Sequence, residues 1–181
     1  MEYPYVVASL PLLILGERPT FTTQEFLFKC EGALLAHDLR CLRRLLTGEA
    51  GSCKQPFAQA WHRHEEQLRL AIAHVRAGRL GIERPEESVK YRTLEPDAQR
   101  VVVDAFAKTH PLERERVLDE YRWHMLDELA FQDAFGLATV LAFGLKLRIA
   151  ERWADLETER GEKAFEQHAA GIAEKRETVS A

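Results

Sequence analysis

The sequence predicts an all-α fold: a multi-helix, bundle-like domain of about six helices, with an apolar N-terminal segment packed on its core. Three observations predict it. Apolar residues recur at spacings of three and four along most of the chain, which is the period of one helix face. Proline or threonine stands where several of these runs begin and glycine where they end, as helix punctuation requires. No pair of alternating runs reads as paired strands: VVVDAF (101–106) is β-branched but lies inside a run with helix entry signals, leaving at most one short strand near the N-terminus.

The apolar stretch YVVASLPLLIL (5–15) opens the chain. It lacks the basic flank of a signal peptide, is too short to span a bilayer, and is interrupted by Pro11. It is expected to lie buried over the core, part helix and part extended. Thr22 or Thr23 then caps a short helix reaching about Gly32, with Gln24 or Glu25 in its first turn. LLAHDLRCLRRLL (34–46) follows, with Leu35, Leu39, Leu42 and Leu46 inward and Arg40, Arg43 and Arg44 outward. TGEAGSC (47–53) is a loop by composition. Pro56 opens a long helix whose stripe is Phe57, Trp61, His64, Leu68, Ile72 and Val75, weakened and ended by Gly78 and Gly81. Glu65 stands four residues before Arg69, the favoured order for a helix ion pair, and Arg76 lies further along that flank.

Residues 82–95 form a connector, and a helix from Pro96 to about Lys108 turns Val102, Val103 and Phe106 inward. The stretch 110–156 then reads as two long helices around which the rest is arranged. Pro111 takes a first helical position, and Glu113 and Glu115 load acid into that end. Leu118, Tyr121, Met125 and Leu129 share one face, whereas Trp123 shares a second with Leu126 and Ala130, for a further helix or a partner. Within this helix LERERVLDE is read as a solvated face with Glu113–Arg116 and Asp119–Arg122 pairs. After a break near Gly136, residues 137–149 are apolar on nearly all sides, which places that helix at the centre. Its cations Lys146 and Arg148 must find carboxylates or reach solvent, with Glu120, Asp127 and Glu128 as candidates. One domain is expected over 1–170, with a flexible polar tail at 171–181.

With 181 residues, 46% hydrophobic and 30% charged, the chain suits a single globular core. Its net charge of -4 gives no general attraction to nucleic acid or acidic membranes. Cys30, Cys41 and Cys53 are odd in number and lack CxxC spacing, which argues against a disulfide framework and a structural zinc site and suits a reducing cytoplasm. GxSxG, GxxxxGK[ST] and HExxH are absent. His62 and Glu66 have the spacing of a metal-ligand pair on one helix face, and so do His124 and Glu128, each pair at i and i+4. This spacing supports the alternative of a helical metal-dependent enzyme. His64, on the apolar stripe, is read as a hydrogen-bonded core histidine. A nucleic-acid module would use Arg40, Arg43 and Arg44.

Three stretches carry a resemblance: YVVASLPLLILGERPTFTTQEFLFKCE, HPLERERVLDEYRWHMLDEL and LKLRIAERWADLETERGEKAF. Together they resemble an uncharacterised bacterial family encoded among the genes of V/A-type ATP synthases. FAQAWHRHEEQLRLAIAHVRAGRLG also resembles helices of the stalk cap of those ATPases (the C-type component, d-type in eukaryotes), which joins the rotor stalk to the membrane ring. Leu68, Arg69, Arg76 and Ala77 match that pattern, and Leu70 stands where it has Asn. The resemblance implies a non-enzymatic component or accessory of such an ATP synthase, without catalytic residues, cofactor or metal. Its partners would be ATPase subunits, and its place the cytoplasm at the membrane's cytoplasmic face, without insertion. The candidate partner interface is Arg69, Arg76, Trp123 and Arg148.

Overall fold

The computed structural model describes residues 2–81 and 94–156. Among the described residues seven α-helices follow one another: α1 (Pro4–Ala8), α2 (Thr23–Glu31), α3 (Ala36–Leu46), α4 (Pro56–Leu80), α5 (Pro96–Ala107), α6 (Pro111–Ala130) and α7 (Leu137–Asp155), with a 3-10 turn at Ala50–Ser52 between α3 and α4. The fold is all-α. Among the described residues the only extended pairing is an isolated antiparallel bridge between Glu2 and Gly136. Most of the expected connector and the expected tail at 171–181 lie outside the described residues.

Local chemistry sets these boundaries. Thr22 and Glu25 form a reciprocal capping box at the start of α2. Glu151 of α7 reinforces that end from a distance, accepting Thr23 N at 2.7 Å. Proline stands in the first turn of α4, α5 and α6. Gly81 stops α4 in the left-handed region at φ 65°, where a side chain would be strained. At the start of α7 the Asp133 carboxylate accepts Ala138 N at 2.9 Å, and its carbonyl accepts the Thr139 hydroxyl at 2.7 Å.

Helix α7 is the centre, as its apolar run implies. It packs against α1, α2, α3, α4 and α6. Gly144 lets α2 and α3 close in, because a Cβ there would stand 3.0 Å from both Phe26 and Leu42. The larger apolar cluster gathers around it, including Trp61, Leu126 and Leu141. A smaller cluster forms from the second half of α4, from α5 and from the first half of α6, with Leu68, Val102, Phe106 and Leu118.

Several expectations are corrected. Leu42 and Leu46 on α3 and Val102 and Phe106 on α5 are buried as expected, but Leu35 and Val103 face solvent, because the rest of each buried face is made by Asp38, Cys41 and Leu45 on α3 and by Ala98 and Ala105 on α5. The N-terminal segment is only half covered: Val6, Val7, Leu10, Leu13 and Leu15 pack on the core, while Tyr5 and Leu12 are 92% and 85% exposed. Cys41 and Cys53 form a disulfide, against the expectation of none. The chain reverses at Gly48 (φ 88°) and returns through the 3-10 turn, which brings the two Cα atoms to 5.7 Å, within bridging range. LERERVLDE is not wholly solvated, since Asp119 is 0% exposed. Among the described residues no helix is long and apolar enough to cross a membrane.

Candidate anion-binding cleft

The site grows from a buried carboxylate. Asp119 on α6 faces α7 and receives three donors: Arg122 Nη1 at 2.9 Å, Trp153 Nε1 at 2.8 Å, and Arg152 Nη2. An ionised carboxylate survives away from water only with such partners. Arg122 reaches the other way as well, donating from Nε to Glu65 Oε1 on α4 at 2.8 Å. Burial opposes the charge of Arg122, but Glu65 and Asp119 more than offset this and hold its pKa above the usual value.

This network floors an open cleft of about 250 Å³ between α4, α6 and α7, with Gly48 and Ala50 forming one wall. Arg69 and Arg148 stand exposed in its lining. Glu65, the expected helix partner of Arg69, is turned to Arg122 instead. Arg148 donates to the carbonyl of Leu46 at the end of α3. Among the described residues neither guanidinium has a carboxylate partner.

Two of the four candidate interface residues therefore line the same cleft. The other two lie elsewhere. Arg76 sits 5.9 Å from the centre of the Phe106 ring at the smaller cluster. Trp123 packs on the larger cluster beneath Lys146, whose ammonium lies 4.8 Å from the ring centre and pairs with Asp127. That pair realises one of the carboxylate partners expected for the cations of α7.

His62 Nε2 lies 3.5 Å from Glu66 Oε1 along α4, and His124 and Glu128 are exposed on α6. Among the described residues no three His, Cys, Asp or Glu side chains converge to hold a metal, so these two pairs do not meet. His64 is partly buried beside Glu95 (3.4 Å), but its Nδ1 makes no hydrogen bond, which corrects the reading of a hydrogen-bonded core histidine. Arg43 pairs with Glu31 and Arg44 donates to Ser52 O, so two of the three basic residues on α3 are engaged. Cys30 is buried, and that burial pushes its thiol up to about 12, which keeps it protonated.

Sequence reading missed a second buried acid, Asp38, which is 1% exposed. It accepts the Tyr3 hydroxyl at 2.5 Å and Gln55 Nε2 at 2.9 Å. Tyr3 N also donates to Phe135 O at 2.6 Å, so this cluster ties the N-terminus to α3 and to the α6–α7 turn. Its polar groups satisfy one another, which marks it as structural.

A helical protein with an arginine-lined cleft is the class that fold and site define. Residues 97–174 are similar to a family described as "Protein of unknown function (DUF2764)". The matched stretch contains Asp119, Arg122, Arg148 and Arg152, but not Glu65 or Arg69. Searches of curated proteins and of solved structures found no match.

Proposed function

We propose that the protein is a non-enzymatic helical component or accessory of a bacterial V/A-type ATP synthase, acting by rigid helix packing and docking through the face that carries the cleft. The ATP synthase part of this reading rests on the sequence resemblance. The docking part rests on one observation: Arg69 and Arg148, far apart in the chain, line one cleft with no carboxylate of their own among the described residues. Both carboxylates of the cleft are already held by guanidiniums, and His62 is its one imidazole. That inventory suits recognition better than bond making.

Affinity purification of the tagged protein from its native host tests the reading. ATPase subunits should co-purify with the wild type and be lost from the Arg69→Glu/Arg148→Glu variant. Recovery of the protein without any ATPase subunit would refute the assignment.

A further inference from the structure

The cleft holds four guanidiniums against two carboxylates, in a chain whose net charge is -4. Arg122 and Arg152 are committed to the floor, whereas Arg69 and Arg148 carry the unbalanced charge at the opening. Resting on the docking reading above, we propose that the cleft receives an acidic segment of a partner protein, with one carboxylate held between Arg69 and Arg148. Guanidinium forks match carboxylates geometrically and stay charged at every working pH.

Size and surroundings favour this occupant. About 250 Å³ admits one or two side chains, below the range of most small-molecule pockets. Leu45, Leu145 and Ile149 supply apolar wall for the methylenes of an acidic side chain or for an apolar neighbour. A polyphosphate would bring more negative charge than two guanidiniums neutralise, next to Glu65 and Asp119. Nucleic acid would meet a protein of the same sign of net charge.

The test uses the full chain and a fluorescently labelled hexaglutamate peptide, with hexaglutamine as control, followed by anisotropy. Hexaglutamate should bind, hexaglutamine should not, and affinity should fall as salt rises. Arg69→Gln/Arg148→Gln should weaken binding by about tenfold or more, since two charge-assisted contacts are lost. Arg40→Gln/Arg43→Gln, on the outer face of α3, should leave it unchanged. Unaltered melting curves would show that both variants fold, as rim positions allow. Binding that ignores the Arg69/Arg148 change, no hexaglutamate binding at all, or displacement of the peptide by equimolar inorganic phosphate would overturn the proposal. So would self-association lost in the same variant, because the occupant would then be a second copy. Peptide binding without ATPase co-purification sinks the ATP synthase assignment and keeps this inference. Co-purification without peptide binding does the reverse.

Discussion

Asp119 sits with no exposure to water, and three donors from two helices surround it. Removing it leaves Arg122 and Arg152 facing each other without their shared anion. Asp119→Ala should therefore cost about 3–5 kcal/mol, the range for breaking a buried pair from one side. Its exposed neighbour Glu120, paired to Arg116, should cost about 0–1 kcal/mol when changed to Ala. Urea denaturation of both variants distinguishes them, and similar values would mean that the carboxylate is solvated. Nothing in LERERVLDE marks which acid points inward, because charges of both signs alternate around the helix and only the arrival of α7 selects one. Tyr121 makes a second prediction at this scale. Burial, with Glu95, Asp97, Glu128 and Glu65 adding to it, pushes its phenol up to about 12. The folded state thus holds the proton more tightly than the unfolded state, whose value lies near the usual 10. The associated stability is fully present below pH 10 and is lost as pH rises through 12. Tyr121→Phe should flatten the alkaline limb of a stability-against-pH curve relative to wild type, leaving the contribution of Cys30, which starts from a usual 9. An unchanged limb would place the phenol in water.

Helices were legible because their punctuation is local. Thr22, Pro56, Pro96, Pro111 and Gly81 act within a few residues of themselves, and the structure places element ends at or beside them. Facing was less legible. In α3 and α5 consecutive apolar residues allow two adjacent choices of inner stripe, and tertiary packing chose against Leu35 and Val103. The start of α7 shows how much one turn can hold. The Asp133 side chain occupies the space that a Cβ on Gly136 would need, while capping Ala138. Gly136→Ala should therefore displace the cap and cost about 1 kcal/mol, as should Asp133→Ala. The double variant should lose scarcely more than either alone, because both changes remove one interaction. Full additivity in denaturant titrations would show that the glycine serves another purpose.

At the scale of the molecule, the Cys41–Cys53 bridge and the two apolar clusters set the order of events in unfolding. Cysteine spacing gave no sign of the bridge, which depends on a chain reversal after α3. In denaturant without reductant one thiol should titrate, that of Cys30, and three should titrate after reduction. Reduction should lower stability by about 2–4 kcal/mol. Three reactive thiols in unreduced protein would exclude the bridge. Arg69 and Arg148 could each be singled out from sequence, yet their place in one cleft is a tertiary fact, and Arg69 lacks its expected carboxylate there because Glu65 turns to Arg122 on α6. Along α4 the larger cluster ends at Trp61 and the smaller begins at Leu68, with Glu65 between; along α6 Arg122 stands between Leu118 and Leu126. A charged layer thus separates two apolar bodies that share the same pair of helices. The smaller body, with fewer large buried side chains, should open first, so amides of α5 should exchange with deuterium faster than those of α7. Equal protection would make the molecule a single cooperative unit. The cleft lies on this same layer and is lined from α4, α6 and α7. A guest seated there would act as a clasp across both bodies and suppress the first step of melting. At a hundredfold excess over its dissociation constant it would add about 2.7 kcal/mol of stability. The upward shift of the melting curve then becomes a way to fish for the natural guest among candidate peptides, with no label and no prior guess at its sequence.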